Sequence, residues 1–223
     1  FVFHEEKKIK PIYFTHNNFT LNLGIVAGSG DATLVKQGFN IIEKILAEWA
    51  KNIGFKVKRN PSKDEVEKIV ESIESILIER YEELEKHGID VNVNLLLATV
   101  TYDGKPMLYV FDSRGLAQPM HENPGYALLG KGVVTGGLLL LRLLDYRPEE
   151  ALTWDLGILS TFIIDMVSEV DPSVSPFLGE SYFIRYEKKM IALGPLRREA
   201  YKEFKERVQK RRELIKLLWK TAD

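Results

Sequence analysis

The sequence predicts an α+β fold: a four-layer αββα sandwich of two antiparallel sheets flanked by helices, with an extra C-terminal helix. Three observations predict it. Hydrophobic periodicity switches between the strand and helix repeats in the order strands, two helices, a strand meander, two helices, a hairpin and a helix. Two helices on each side of stacked antiparallel sheets satisfy the layer rules, because each pair covers one sheet and the sheets share an inner core. No internal repeat or low-complexity linker interrupts the 223 residues, and their 45% hydrophobic content suffices for one sizeable core. Residues 1–194 therefore read as one domain, with 195–223 as a helical extension packed on it.

The elements follow in order. Leu21 to Leu46, LNLGIVAGSGDATLVKQGFNIIEKIL, is an apolar strand that passes through Gly28-Ser29-Gly30 into an amphipathic helix beginning near Asp31. Such a turn sets backbone amides and a helix N-terminus beside a sheet edge, where anions and oxyanions are held. Glycines that merely allow close packing are the competing explanation. A second helix, Ser62 to His87, opens with Pro61 and the capping box Ser62-Lys63-Asp64-Glu65. Its apolar face is Val66, Ile69, Val70, Ile73, Leu77 and Tyr81, and His87-Gly88 supplies the stop. From Val91 to His121 the period becomes two, with turns at Tyr102 to Lys105 and Ser113 to Gly115, which gives three antiparallel strands. The turn Gly130-Lys131-Gly132 leads into an apolar helix, Val133 to Leu144, and Pro148-Glu149-Glu150 starts another towards Glu169. Both helices read as mostly buried. A Pro/Ser-rich loop, Asp171 to Gly179, precedes a hairpin, Ser181 to Leu193, and a long helix, Pro195 to Lys220.

Composition excludes several classes. Thirty-one basic against thirty-two acidic side chains leave a net charge of -1, so no global field favours nucleic acid or an anionic membrane. The absence of cysteine removes disulfides, a thiolate zinc site and a Cys nucleophile within these residues, and suits a reducing cytoplasm. The apolar runs Gly137 to Leu141 and Leu156 to Ile164 end at Arg142 and Asp165, too short for a bilayer. No signal-peptide pattern opens the chain. It begins at Phe1 without an initiating Met, and so reads as processed or incomplete.

Gly125 to Lys131 matches P-loop spacing, but Gly132 stands where a hydroxyl residue would meet Mg²⁺, and His121-Glu122-Asn123-Pro124 precedes the first glycine in place of a buried strand. Arg197 to Lys220 holds ten Lys/Arg and four Glu; Ala200, Phe204, Val208, Ile215 and Trp219 at helical spacing make it a docked helix with a solvated basic face rather than a nucleic-acid reader. His4, His16, His87 and His121 are isolated and lack metal-ligand spacing, and no Gly-x-Ser-x-Gly elbow occurs. No metal and no cofactor are expected. Asp165 and Glu169, one turn apart, read as a helix end.

The element order and four stretches resemble the N-terminal nucleophile hydrolases, in their proteasome β-subunit branch, as an archaeal-type homologue. These are Phe1 to His4 with Lys7 to Ile12; Ala27-Gly28 followed by Asp31-Ala32; Leu95 to Asp112 with Tyr126-Ala127 and Gly130-Lys131-Gly132; and Asp171 to Gly179 before YFIRYE. The resemblance implies Lys8 as the catalytic lysine, the Gly28 and Ser29 amides as oxyanion donors, Gly30, Asp31, Gly130 and Gly132 as structural turn residues, and Lys131, Asp171, Ser173 and Ser175 in the supporting proton-relay positions. In the family an N-terminal Thr, Ser or Cys is both nucleophile and base, its α-amine having a pKa near ~8. Here Phe1 cannot fill that role, the AG…DA turn is one residue shorter, Lys131 replaces the turn serine, and Ser173 and Ser175 compete for one serine position.

The resemblance therefore implies an amide hydrolase or transamidase acting on a peptide or small amide, with its nucleophile on a hairpin outside this sequence. The alternatives are a catalytically inactive scaffold or binding module, and a nucleotide-binding protein using Gly125 to Lys131. A cytoplasmic homo-oligomer is open; a standard proteasome barrel is not implied.

Overall fold

The computed structural model of the chain describes residues 8–143, 153–174, 181–187 and 190–221. Strands β1 (Ile9–His16) and β2 (Phe19–Gly30) form a hairpin whose tight turn sets Asn17 and Asn18 at φ 47° and 61°. Asparagine tolerates this left-handed pair, and the pair matches the twist of the flanking strands. β3 (Val93–Val100), β4 (Pro106–Phe111) and β5 (Ala117–Pro119) follow as the expected antiparallel meander, giving the sheet order β1-β2-β3-β4-β5.

Helices α1 (Ala32–Trp49) and α3 (Lys63–Lys86) cover one face of this sheet. A π-helical turn (Ala50–Gly54) and the short α2 (Phe55–Val57) join them. α3 starts where the capping box requires. The Glu65 amide donates to Ser62 Oγ at 3.3 Å and the Ser62 amide to Glu65 Oε2 at 2.7 Å. Burial would raise the Glu65 pKa, but the Arg59 guanidinium and the Ser62 donors outweigh it and hold the carboxyl below its usual range. The expected apolar face, from Val66 to Tyr81, is buried.

The close approach of α1 to the sheet has a specific cause. Leu95 on β3 is fully buried, and a Cβ at Gly38 of α1 would stand 2.3 Å from its Cδ1. A Cβ at Gly28 would stand 3.3 Å from Leu95 Cδ2 and 2.6 Å from Val35. Glycine at both places lets one leucine fill the space between helix and sheet.

β6 (Tyr182–Glu187) and β7 (Met190–Pro195) form a two-stranded second sheet. It is tied to the first by Asn22 Nδ2 donating to the Ile191 carbonyl at 2.8 Å and by the Tyr186 hydroxyl bonding the Tyr102 carbonyl. The fold is thus an α+β sandwich, as the periodicity predicts.

The chain divides into two compact units: 1–130 with 182–194, and 131–181 with 195–223. The second contains α4 (Leu138–Leu143), α5 (Thr153–Val170) and α6 (Arg198–Thr221). Within it Phe204 of α6 seats on Gly157 of α5, and Arg212 pairs with Asp165 at 2.9 Å and with Glu169. Those two carboxylates, expected as a plain helix end, are therefore a docking point for α6. The helix expected over Val133 to Leu144 is also corrected. Gly136 adopts φ 156°, ψ -16°, so a π-helical stretch (Val133–Gly137) precedes α4, and Val134 and Leu139 are 91% and 61% exposed rather than buried.

Replacing Ser62 by Ala should lower unfolding stability by about 1 kcal/mol, measured in urea, because one half of the capping box is lost. Gly38→Ala should destabilise despite a helix-propensity gain of about 1 kcal/mol. The double variant G38A/L95V should lose less than the sum of its single variants, and strict additivity would show that Leu95 is not the obstacle.

Candidate functional site

β2 ends at Gly30, whose φ of 106° and a prospective Cβ only 2.0 Å from the Asn92 carbonyl oxygen admit glycine alone. Asp31 then caps α1: its Oδ1 accepts from the Leu34 amide at 3.0 Å, while its own amide donates to the Asn92 carbonyl at 2.7 Å. Two residues back along the antiparallel ladder, Ser29 opposes Asn94 and turns its amide to β3 as well. The Gly28 amide donates to the Lys8 carbonyl at 2.9 Å. Sheet pairing thus engages the amides of Gly28 and Ser29, the two expected as oxyanion donors. Gly30 and Asp31 form the turn from β2 into α1.

That same pairing sets Lys8 beside the turn. Lys8, Gly28, Ser29 and Gly30 line one cleft of about 930 Å³, walled by the outer strand β1 and one stripe of α1. The stripe is Ala32, Val35, Lys36, Phe39 and Asn40, spaced for a single helix face. Val35 and Phe39 are buried beneath it, whereas Lys36 and Asn40 are exposed at its rim. Tyr13 and Tyr182 add aromatic walls. Lys10 also reaches the cleft, but its ammonium is held by Glu43 of α1 at 2.6 Å. A prospective Cβ at Gly130 would lie 3.8 Å from Ser29 Cβ, so this glycine packs against the same turn.

Lys131, Gly132, Asp171 and Ser173 belong to the second unit. Asp171 follows α5, and its Oδ1 accepts from the Ser173 amide at 2.9 Å and the Ser173 hydroxyl at 2.6 Å. The Ser173 hydroxyl is the main reason that this buried carboxyl is held below its usual range, with help from the Ser173 amide, Thr135 and the nearby Lys131. Ser173 thus donates into a turn that ends a helix. Gly132 packs on Val167 and Val174 in this unit, and Ser175 lies outside the described residues. The P-loop reading of Gly125 to Lys131 is corrected too: the strand before it, β5, is antiparallel, the Gly125 amide is engaged by the Met120 carbonyl at 2.8 Å, and a five-residue π-helical stretch follows where a full α-helix is needed.

Sequence reading passed over Lys36, Asn40, Tyr13 and Tyr182. The signal for the first two was available, since they repeat at four-residue steps from Ala32 on an otherwise apolar helix. Tyr13 and Tyr182 are 169 positions apart in sequence, and only the stacking of the sheets makes them neighbours of one cleft.

The fold that carries this cleft is an α+β sandwich. Among solved structures the chain is similar to the Anbu (Gly-1) mutant from Hyphomicrobium sp. strain MC1, with a TM-score of 0.68 and 11% identity over 97% of this chain and 85% of that one. At that identity the likeness is one of fold. No family model matches the chain, and no curated protein matches it. Assignment to the proteasome β-subunit branch as an archaeal-type homologue is therefore corrected: no family model carries it, and the likeness to the Hyphomicrobium protein extends to fold alone. No helix among the described residues is long and apolar enough to cross a membrane.

Because the Asp171 pKa is depressed by folding, its contribution is present above the unfolded value of about 3.9 and is lost as pH falls through the folded value. Thermal unfolding should show Asp171→Asn below the wild type at pH 7, with the gap closing in acid below about pH 4. A gap that persists there would mean that the carboxylate charge is not what Ser173 stabilises.

Proposed function

We propose that the chain breaks or exchanges an amide bond by acyl transfer in the Lys8 cleft, acting in the cytoplasm on a peptide or small amide. A Thr or Ser hydroxyl or a Cys thiol, supplied from outside the described residues, adds to the amide carbonyl. The C–N bond then breaks, the amine departs with the proton taken from the nucleophile, and an ester or thioester remains. Water completes hydrolysis; a second amine completes transamidation. Lys8 favours the anionic nucleophile and offsets charge on the carbonyl oxygen as it develops.

One observation supports this reading above the others. Lys8 pairs with Gly28 through its own carbonyl, which fixes its backbone at the cleft wall beside Ser29 and the start of α1, and its ammonium has no ion-pair partner among the described residues. A second reading, a binding module without turnover, is favoured by the engagement of the Gly28 and Ser29 amides in the sheet.

Natively produced protein, examined by intact mass and N-terminal sequencing, should carry a mature N-terminal Thr, Ser or Cys upstream of Lys8. Lys8→Ala should lower turnover of fluorogenic peptide amides about a hundredfold while leaving the unfolding midpoint unchanged, because Lys8 is exposed. An authentic Phe1 terminus, or full activity in the Lys8 variant, would sink the enzyme reading in favour of the binding module.

A further inference from the structure

We infer that the cleft selects an extended peptide with an acidic side chain, its carboxylate held by Lys36 and its main chain held along the outer edge of β1, a ligand class that rests on and deepens the amide-bond reading. The described lining carries three lysines and no carboxylate. Lys10 is neutralised by Glu43, whereas Lys8 and Lys36 have no ion-pair partner among the described residues. Lys36 stands exposed on the same helix face as the buried Val35 and Phe39, so a bound side chain lays its methylenes on an apolar floor and its charge against the Lys36 ammonium. A neutral side chain gains only the floor, and a basic one meets like charge.

The edge of β1 argues for a peptide over a small acid. β1 is the outermost strand on its side of the five described strands. Since the Lys8 carbonyl accepts from Gly28, alternation turns the main-chain groups of Ile9 and the carbonyl of Pro11 away from β2. Among the described residues no strand pairs with that edge, which leaves those groups for a short extended chain. Pro11 lacks an N–H, which limits pairing to a short stretch and blunts sheet-to-sheet association.

The test is equilibrium binding of the full chain to N-acetylated, C-amidated, fluorescently labelled pentapeptides identical except for a central Glu, Gln or Lys. The Glu peptide should bind about fivefold to tenfold tighter than its Gln isostere. The preference should shrink at 1 M salt, survive in Lys36→Arg and vanish in Lys36→Ala. Equal or absent binding of the Glu and Gln peptides, or a preference that Lys36→Ala leaves intact, overturns the inference. So does a peptide of alanines with a free C-terminus that matches the Glu peptide, since the cleft would then read a terminal carboxylate. Mass spectrometry of the same mixtures separates the two proposals. Preference without cleavage supports the acidic ligand and counts against amide-bond chemistry; cleavage without preference does the reverse.

Discussion

The cleft exists because α1 lies unusually close to the sheet at one end, and that closeness depends on a single buried side chain. Leu95 occupies the space that a β-carbon at Gly38 or Gly28 would need. Close packing makes such a site intolerant of added volume, since a filled interior has no void to absorb a methyl group. With α1 drawn down at Gly38, its first two turns stand beside the edge of β1, and the stripe from Ala32 to Asn40 becomes a wall rather than a solvent-facing surface. The hydrophobic core and the candidate site are thus set by the same contact.

Hydrogen bonding decides what that wall can offer. A glycine-rich strand end leading into a helix is a common anion site because several amides there lack partners. Here β2 stays in register to its last residue, so the amides of Gly28, Ser29 and Asp31 are drawn into pairing with β1 and β3. Donor capacity therefore passes from the backbone to side chains. The Lys10–Glu43 pair shows how α1 could have neutralised the edge completely. It does so at one position, leaving two lysine charges without a counter-ion among the described residues. At a partly exposed site each such charge is worth only a modest interaction.

In the second unit the same logic runs towards satisfaction. Asp171 receives two bonds from Ser173, and Arg212 answers Asp165 and Glu169 together. Buried or half-buried carboxylates cost free energy unless donors meet them, and both clusters meet that need locally, one by ending α5 and the other by docking α6. Chemistry at Asp171 would have to break the turn that now uses it.

Much of this was legible in the residues themselves. The capping box at Ser62, the stripe from Val66 to Tyr81 and the period-two run from Val93 to Phe111 are local signals, and local backbone and burial preferences were enough to determine those elements and the sandwich class. The break at Gly136 was not legible, because an apolar run reads alike whether it is buried or, as at Val134 and Leu139, exposed. The candidate site divides along the same line. Ser29 and Gly30 stand out by position around a strand-to-helix turn, whereas Lys8 was marked only by the family resemblance. The loss of the Gly28 amide to Lys8, the neutralisation of Lys10 by Glu43 and the arrival of Tyr182 depend on partners far away in sequence, whose pairing carries no local signature. The sequence by itself determined the elements and the turn; register and stacking, which only the folded chain sets, decided which donors and charges remain for a ligand.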